Sequence, residues 1–161
     1  MAAKKGKRKI DAGDVASNRQ ASYRYELSDR TEAGMVLLGS EVKSLRDGQA
    51  NLKDAYASID DGEVFLHNLH IAPYAPAARE NHQPERTRKL LMKRREIDRL
   101  GSLLAERGFT LVPTRIYFKD GRAKVELALG RGKDNRDKRR DIKERELKRE
   151  IDRGVREWSK S

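Results

Sequence analysis

Three histidines and one glycine-rich basic tetrad are, by residue type, the groups best suited to metal or phosphate chemistry, and none has the spacing that chemistry demands. His67 and His70 stand three apart in a segment that reads as strand, so their side chains point to opposite faces and cannot share a metal. His82 is alone in a loop beside Pro84, and the chain has no cysteine to complete a zinc site. All three read as structural or solvent-facing. Gly130-Arg131-Gly132-Lys133 contains G-x-G-K but not the longer spacing of a phosphate-cradling loop, so its glycines read as a hinge. Acidic residues are plentiful, yet most fall in turns or charged helical runs, and no pair is isolated for acid and base work. No catalytic residue, metal or cofactor is expected.

The chemistry the chain does offer is cationic. With 37 Lys and Arg against 26 Asp and Glu in 161 residues, its net charge of +11 favours polyanions through counterion release. Nucleic acid is the expected partner. A membrane is not: no apolar run approaches the roughly 18 to 20 residues of a spanning helix, and the basic segments lack a broad apolar face. The start, M-A-A-K-K-G-K-R-K, is basic with no apolar region behind it and soon meets Asp11 and Asp14, which reads as a flexible arm touching phosphate. With no cysteine in the chain, a cytoplasmic protein is expected.

Three parts must position these charges: a basic arm over 1–16, an RNA-binding domain over 17–130 and a basic tail over 131–161. Six segments of the domain read as strands: Tyr23 to Leu27, Met35 to Leu38, Ala55 to Ile59, Val64 to Ile71, Leu111 to Phe118 and Ala123 to Leu129. Asp60-Asp61-Gly62 and Lys119-Asp120-Gly121 are hairpin signals. From Arg122 to Leu129 apolar and charged residues alternate, giving one core face and one charged face. Thr87 to Arg107 carries leucines and Ile97 at helical period, with Gly108 placed as a C-terminal cap. The expected fold is mainly β with helices: a small antiparallel barrel of the oligonucleotide-binding kind. The tail is too poor in apolar residues to pack against it, yet is rich in helix formers and in i,i+4 pairs with the acid first, such as Glu144 with Lys148. It is expected to be disordered when free and helical when bound. From Lys138 to Trp158 such a helix would span about 30 Å, with Leu147, Ile151, Val155 and Trp158 on a thin apolar seam.

Three ordered blocks resemble a known family. Glu32-Ala33-Gly34 with Gly39-Ser40-Glu41-Val42-Lys43-Ser44-Leu45-Arg46, then Arg86-Thr87-Arg88-Lys89-Leu90-Leu91, then Asp137-Lys138-Arg139 with Ile142-Lys143-Glu144-Arg145-Glu146, are similar to the signatures of the bacterial SsrA-binding proteins. The resemblance runs from about Ser17 to the C-terminus. It implies a factor, one molecule per RNA, that binds the tRNA-like part of transfer-messenger RNA and delivers it to ribosomes stalled on messages lacking a stop codon. The unfinished peptide is then tagged for degradation.

On the same resemblance, Asn18, Glu32, Gly34, Glu41, Lys43, Ser44, Arg88, Lys89, Leu91 and Lys124 match the RNA face. Glu32 and Glu41 cannot pair with phosphate. They would accept hydrogen bonds from base or ribose, or orient neighbouring cations, or be buried structural carboxylates. Leu91 reads equally as helix core, whereas Lys124 lies on the charged side of its strand. The tail would enter the decoding region and message channel of the small subunit, with Asp137, Lys138 and Arg139 near the decoding nucleotides. Arg136, Lys143, Arg145 and Trp158 would lie along the same path. Two positions depart from the family: Arg136 stands where His or Tyr is frequent, and Asp134 where a second Lys is usual. A guanidinium still stacks on bases, whereas an aspartate weakens phosphate contact. A structural component of ribosomal RNA particles and an enzyme acting on RNA are the competing classes. The first does not account for the three blocks together, and the second needs an acid–base or metal site that the sequence lacks.

Overall fold

The computed structural model describes residues 13–106 and 108–160. Most of the arm expected over 1–16 therefore lies outside the described residues, while Asp14–Ser17 form the first strand, β1. The elements then run α1 (Ala21–Arg24), β2 (Tyr25–Met35), α2 (Gly39–Arg46), β3 (Ala50–Asn51), β4 (Tyr56–Asp60), β5 (Glu63–His67) and β6 (His70–Ile71). A 3-10 turn at Ala75–Glu80 leads to β7 (Arg88–Leu91), α3 (Arg94–Leu104), β8 (Phe109–Lys119), β9 (Arg122–Gly132) and α4 (Asn135–Trp158).

The chain is mainly antiparallel sheet with helices, as the strand patterning predicts. The hydrogen-bonded order is β1-β8-β4-β5-β7-β2-β9, and β9 also pairs with β8, so the pairing returns on itself. The short strands β3 and β6 make a separate antiparallel pair. Both expected hairpins form, β4–β5 and β8–β9. Their turns place Asp61 and Gly62 at φ 50° and 74°, and Asp120 and Gly121 at 51° and 74°. Two successive left-handed residues match the right-handed strand twist, which is why Asp-Gly serves there. Alternation delivers Val64, Leu66, Leu90, Ile116, Val125 and Leu127 to one core with Leu45, Leu52, Leu69 and Leu100. Each contributes roughly 1.5 to 3 kcal/mol by leaving water.

Several boundaries differ from the patterned expectation. Tyr23 belongs to α1 rather than to a strand, and Met35 ends β2, because the Leu38 N–H is captured by the Glu41 carboxylate at 2.9 Å and the chain turns into α2. The segment Val64 to Ile71 divides at Asn68, whose φ of 59° ends β5. The helix expected from Thr87 begins only at Arg94. Arg88 to Leu91 alternate buried and exposed, and that period of two places them in β7 between β5 and β2. Leu91 is consequently strand surface, not helix core. β9 continues to Gly132, past the domain boundary expected at Gly130. Gly130 is no hinge: a Cβ there would lie 3.0 Å from Val112 Cγ2 and 3.1 Å from Tyr25 Cβ, so the position serves close strand packing.

Candidate nucleic-acid interface

The outer faces of β7, β2 and β9 meet around Gly34. Its backbone pairs with Leu91 on one side and Lys124 on the other. Lacking a side chain, Gly34 leaves a depression: a Cβ would sit 3.4 Å from Leu91 Cβ and 3.7 Å from Lys124 Nζ. Together with Leu37, Val42 and Arg122, these residues line a cleft of about 290 Å³. Leu91 is 56% exposed, an apolar surface beside cations. Lys89 shares the outer face of β7 and pairs with Glu63 at 2.8 Å. Lys43 follows Val42 on α2, with Nζ 5.7 Å from the centre of the Tyr74 ring.

Glu32 lies two residues before Gly34 on the same strand face. Its carboxylate accepts a hydrogen bond from the Tyr117 hydroxyl, with Lys119 3.6 Å away. The tyrosine hydrogen bond, aided by Lys119 and Lys124, holds the Glu32 carboxyl below its ordinary range against the opposing effect of desolvation. Partial burial, reinforced by the Glu32 charge, pushes the Tyr117 hydroxyl up to about 12. Tyr117 therefore stays a neutral donor, and Arg115 stacks over its ring at 4.5 Å. Sequence reasoning missed Tyr117, although the alternation in Arg115-Ile116-Tyr117-Phe118-Lys119 places it on the outer face.

Three expected contact residues are withdrawn from the surface. Glu41 and Arg88 are fully buried, and Ser44 is 1% exposed. The Glu41 carboxylate takes Arg88 through Nε and Arg86 through Nη2 at 2.5 Å. Arg88 continues to the carbonyls of Leu69 at 2.6 Å and Pro84 at 3.0 Å. Burial resists the Glu41 charge, but the Leu38 N–H and the two guanidinium groups outweigh it and keep the carboxyl below its ordinary range. Ser44 donates to the Ala72 carbonyl at 2.6 Å. These side chains tie α2 to β7 and to the loops on either side of β6, and so fix Lys43 relative to Lys89 and Leu91. Glu41 is thus the buried structural carboxylate of the alternatives. His82 does similar work: Nε2 donates to the Ile71 carbonyl and Nδ1 accepts from Ser40, both at 2.9 Å.

Asn18 stands apart from the cleft. Its amide donates to the Pro113 carbonyl at 3.1 Å, toward the opposite end of the β8–β9 hairpin.

α4 begins where β9 ends and is anchored at its root. Asp134, expected to weaken phosphate contact, is the helix N-cap and accepts from the Asp137 N–H at 2.8 Å. Lys133 donates from its backbone to the Arg24 carbonyl at 3.0 Å and from Nζ to the Ser22 carbonyl at 2.8 Å. The same ammonium pairs with Asp141, and this hydrogen bond lowers the Asp141 carboxyl pKa. Lys138 Nζ lies 5.8 Å from the Tyr23 ring centre. Beyond this root the helix surface is open: Arg136, Asp137, Arg139, Lys143 and Arg145 are exposed. So is the seam, with Leu147 58%, Ile151 57%, Val155 62% and Trp158 86% exposed.

Among the described residues no group of three or more His, Asp or Glu side chains is placed to hold a metal. No helix there is long and apolar enough to cross a membrane.

The sequence pattern of the family described as SmpB protein matches residues 15–157, from β1 to the end of α4. The chain belongs to the SmpB family. It is 54% identical over 147 residues to the SsrA-binding protein of Geobacter sulfurreducens, covering 91% of this chain and 96% of that one. It is 51% identical over 146 residues to the SsrA-binding protein of Bacillus subtilis, covering 91% of this chain. A solved structure described as "tmRNA-SmpB: a journey to the center of the bacterial ribosome" aligns at TM-score 0.64 and 46% identity, over 74% of this chain and 84% of that chain. Among the residues carried over from this family, the structure gathers Gly34, Leu91 and Lys124 into one cleft, with Glu32, Lys43 and Lys89 around it. Glu41, Ser44 and Arg88 lie beneath.

Proposed function

We propose that this protein binds the tRNA-like domain of transfer-messenger RNA and delivers it to stalled ribosomes for trans-translation. The observation that carries this reading is membership of the SmpB family over residues 15–157, which takes in the sheet body and α4 as one unit. The family's relatives are SsrA-binding proteins, and the aligned solved structure is of tmRNA-SmpB in the bacterial ribosome. The protein works in the cytoplasm by binding, with no chemical step of its own, and one molecule serves each RNA.

The cleft at Gly34 supports the RNA contact. Folded RNA offers backbone, 2′-hydroxyl and shape features, which suit a shallow depression with an exposed leucine, a carboxylate and separated cations. We read the returning strand order as a small barrel of the oligonucleotide-binding kind. Glu41 and Arg88 brace its RNA face from inside. The tail is read as a segment that leaves its root contacts in the free protein and orders on the small subunit. Its seam is more than half exposed at Leu147, Ile151 and Val155, and a segment so polar buries too little apolar surface to offset its chain entropy. There α4, about 36 Å long at 1.5 Å per residue, would enter the decoding region and message channel, whose phosphate walls suit Lys138, Arg139, Lys143 and Arg145.

Recovery of RNA from a lysate on the tagged protein tests the reading. One dominant structured RNA is expected. Recovery of whole ribosomal subunits without it would replace this function by a structural ribosomal role.

A further inference from the structure

The hydrogen bond between Tyr117 and Glu32 spans three strands. Gly34 on β2 and Tyr117 on β8 both pair with Lys124 of β9, and Glu32 pairs with Glu126 of the same strand. Alternation therefore sets Arg115, Tyr117 and Lys119, then Lys124 and Glu126, then Glu32 and Gly34 on one outer face. The phenol reaches diagonally across β9 and donates to Glu32 Oε2. The other carboxylate oxygen, Oε1, lies 3.6 Å from Lys119 Nζ.

The tyrosine is itself fixed from several sides. The guanidinium of Arg115, stacked over its ring, is held by Asp14 of β1 at 3.1 Å and by Glu126 at 3.6 Å. Glu126 in turn takes Arg30 of β2 at 3.1 Å and accepts from the Thr114 hydroxyl. The phenol thus stands in a frame of polar contacts drawn from β1, β2, β8 and β9.

Glu32 is exposed, whereas Tyr117 is half-buried behind it, so an incoming ligand meets the carboxylate first. A glutamate on an open strand face turns freely, and fixing one rotamer costs side-chain entropy when a ligand binds. Left to itself, such a carboxylate would also swing onto Lys119 or Lys124 and take a cation from phosphate. The phenol prevents both. As a neutral donor it orients Glu32 without cancelling its charge, and it leaves Oε1 to accept from a ligand. We propose that Tyr117 is a positioning residue of the RNA face: its hydroxyl fixes the Glu32 carboxylate beside the Gly34 cleft, where the carboxylate accepts a hydrogen bond from transfer-messenger RNA. Tyr117 makes no RNA contact of its own. The proposal rests on the transfer-messenger RNA binding argued above.

The test is a double-mutant cycle in the full chain, with gel-shift affinity for transfer-messenger RNA measured on wild type, Tyr117→Phe, Glu32→Ala and the pair. Phenylalanine keeps the ring beneath Arg115 and removes only the hydroxyl, and thermal melts confirm folding. Tyr117→Phe should weaken binding about fivefold, and Glu32→Ala at least as much. The double variant should bind like Glu32→Ala alone, because the hydroxyl then has nothing to hold. Effects that multiply would give Tyr117 an RNA contact of its own and overturn the proposal, as would wild-type affinity in either single variant. NMR titration of the Glu32 carboxyl carbon in the free protein separates positioning from packing. In Tyr117→Phe its midpoint should rise toward the ordinary 4.5, with Lys119 and Lys124 still acting to lower it. An unchanged midpoint would mean that the hydroxyl does not hold the carboxylate, and would overturn the proposal too. Wild-type protein that fails to bind transfer-messenger RNA would remove the binding reading and this proposal with it.

Discussion

Arg86-Thr87-Arg88-Lys89 and Asp137-Lys138-Arg139-Arg140 look alike as runs of charge, and the fold uses them in opposite ways. In the first, Arg88 is fully buried on Glu41 and two carbonyls, while Lys89, one residue on, is exposed. In the second, Asp137, Arg139 and Arg140 are exposed, and Lys138 is only partly covered by Tyr23. A guanidinium buried in a sheet needs a full set of acceptors and becomes a brace. One on a lone helix stays hydrated and available to phosphate. Which role a cation takes is decided by what faces it across the fold, not by its neighbours in the chain.

The largest effect should come from breaking the brace. Glu41→Ala leaves Arg88 charged and buried without its carboxylate, a change that typically costs about 3 to 5 kcal/mol, whereas Arg139→Ala should stay within about 0.5 kcal/mol of wild type. Denaturant unfolding of the two variants checks this, and equal values would erase the contrast. The brace also predicts an acid limit. Because folding lowers the Glu41 pKa, its stabilisation is fully present above the ordinary value of 4.5 and is lost as pH falls through the lowered folded value. A pH series of melts should show that loss in wild type, with a shallower acid slope in Glu41→Gln.

Changes on the face should alter binding and leave folding intact. Gly34→Leu fills the depression between Leu91 and Lys124 and should lower transfer-messenger RNA affinity about tenfold, or 1.4 kcal/mol. Lys124→Ala and Lys43→Ala should each weaken it less and flatten the log–log salt dependence by under about one unit. A large drop in melting temperature with normal binding would make either lysine a structural residue. The smallest expected signal is in the tail: Trp158 should emit as exposed indole in the free protein, unchanged by transfer-messenger RNA and shifted by stalled ribosomes. A blue-shifted indole in the isolated protein would mean that the tail packs on the body at rest.

Local rules made the hairpins legible, since Asp-Gly turns and alternation from Arg122 to Leu129 need no distant partner to be recognised. The same rules misread Arg88 to Leu91, where two leucines lie at helical distance from those of α3 although the alternation belongs to β7. α2 was hidden because Gly39 to Arg46 buries only Glu41, Ser44 and Leu45, and a buried carboxylate leaves no apolar stripe. Of the site residues carried over through resemblance, Gly34, Leu91 and Lys124 fall together in one cleft. Tyr117 and the withdrawal of Glu41 and Arg88 depend on contacts across more than forty residues. No pattern within a single segment encodes those. Asp134 is the converse case: a departure from family usage that becomes intelligible as the N-cap of α4.

The central claim is that the sheet body holds transfer-messenger RNA and the tail acts on the ribosome. A chain ending after Asp134 keeps every strand and removes α4, and it tests the claim most directly when gel-shift affinity and peptide tagging are measured on the same preparation. Affinity within about threefold of the full-length protein, a difference under 1 kcal/mol, together with loss of tagging, is the predicted result. A hundredfold loss of RNA binding, or tagging that survives the truncation, would contradict it.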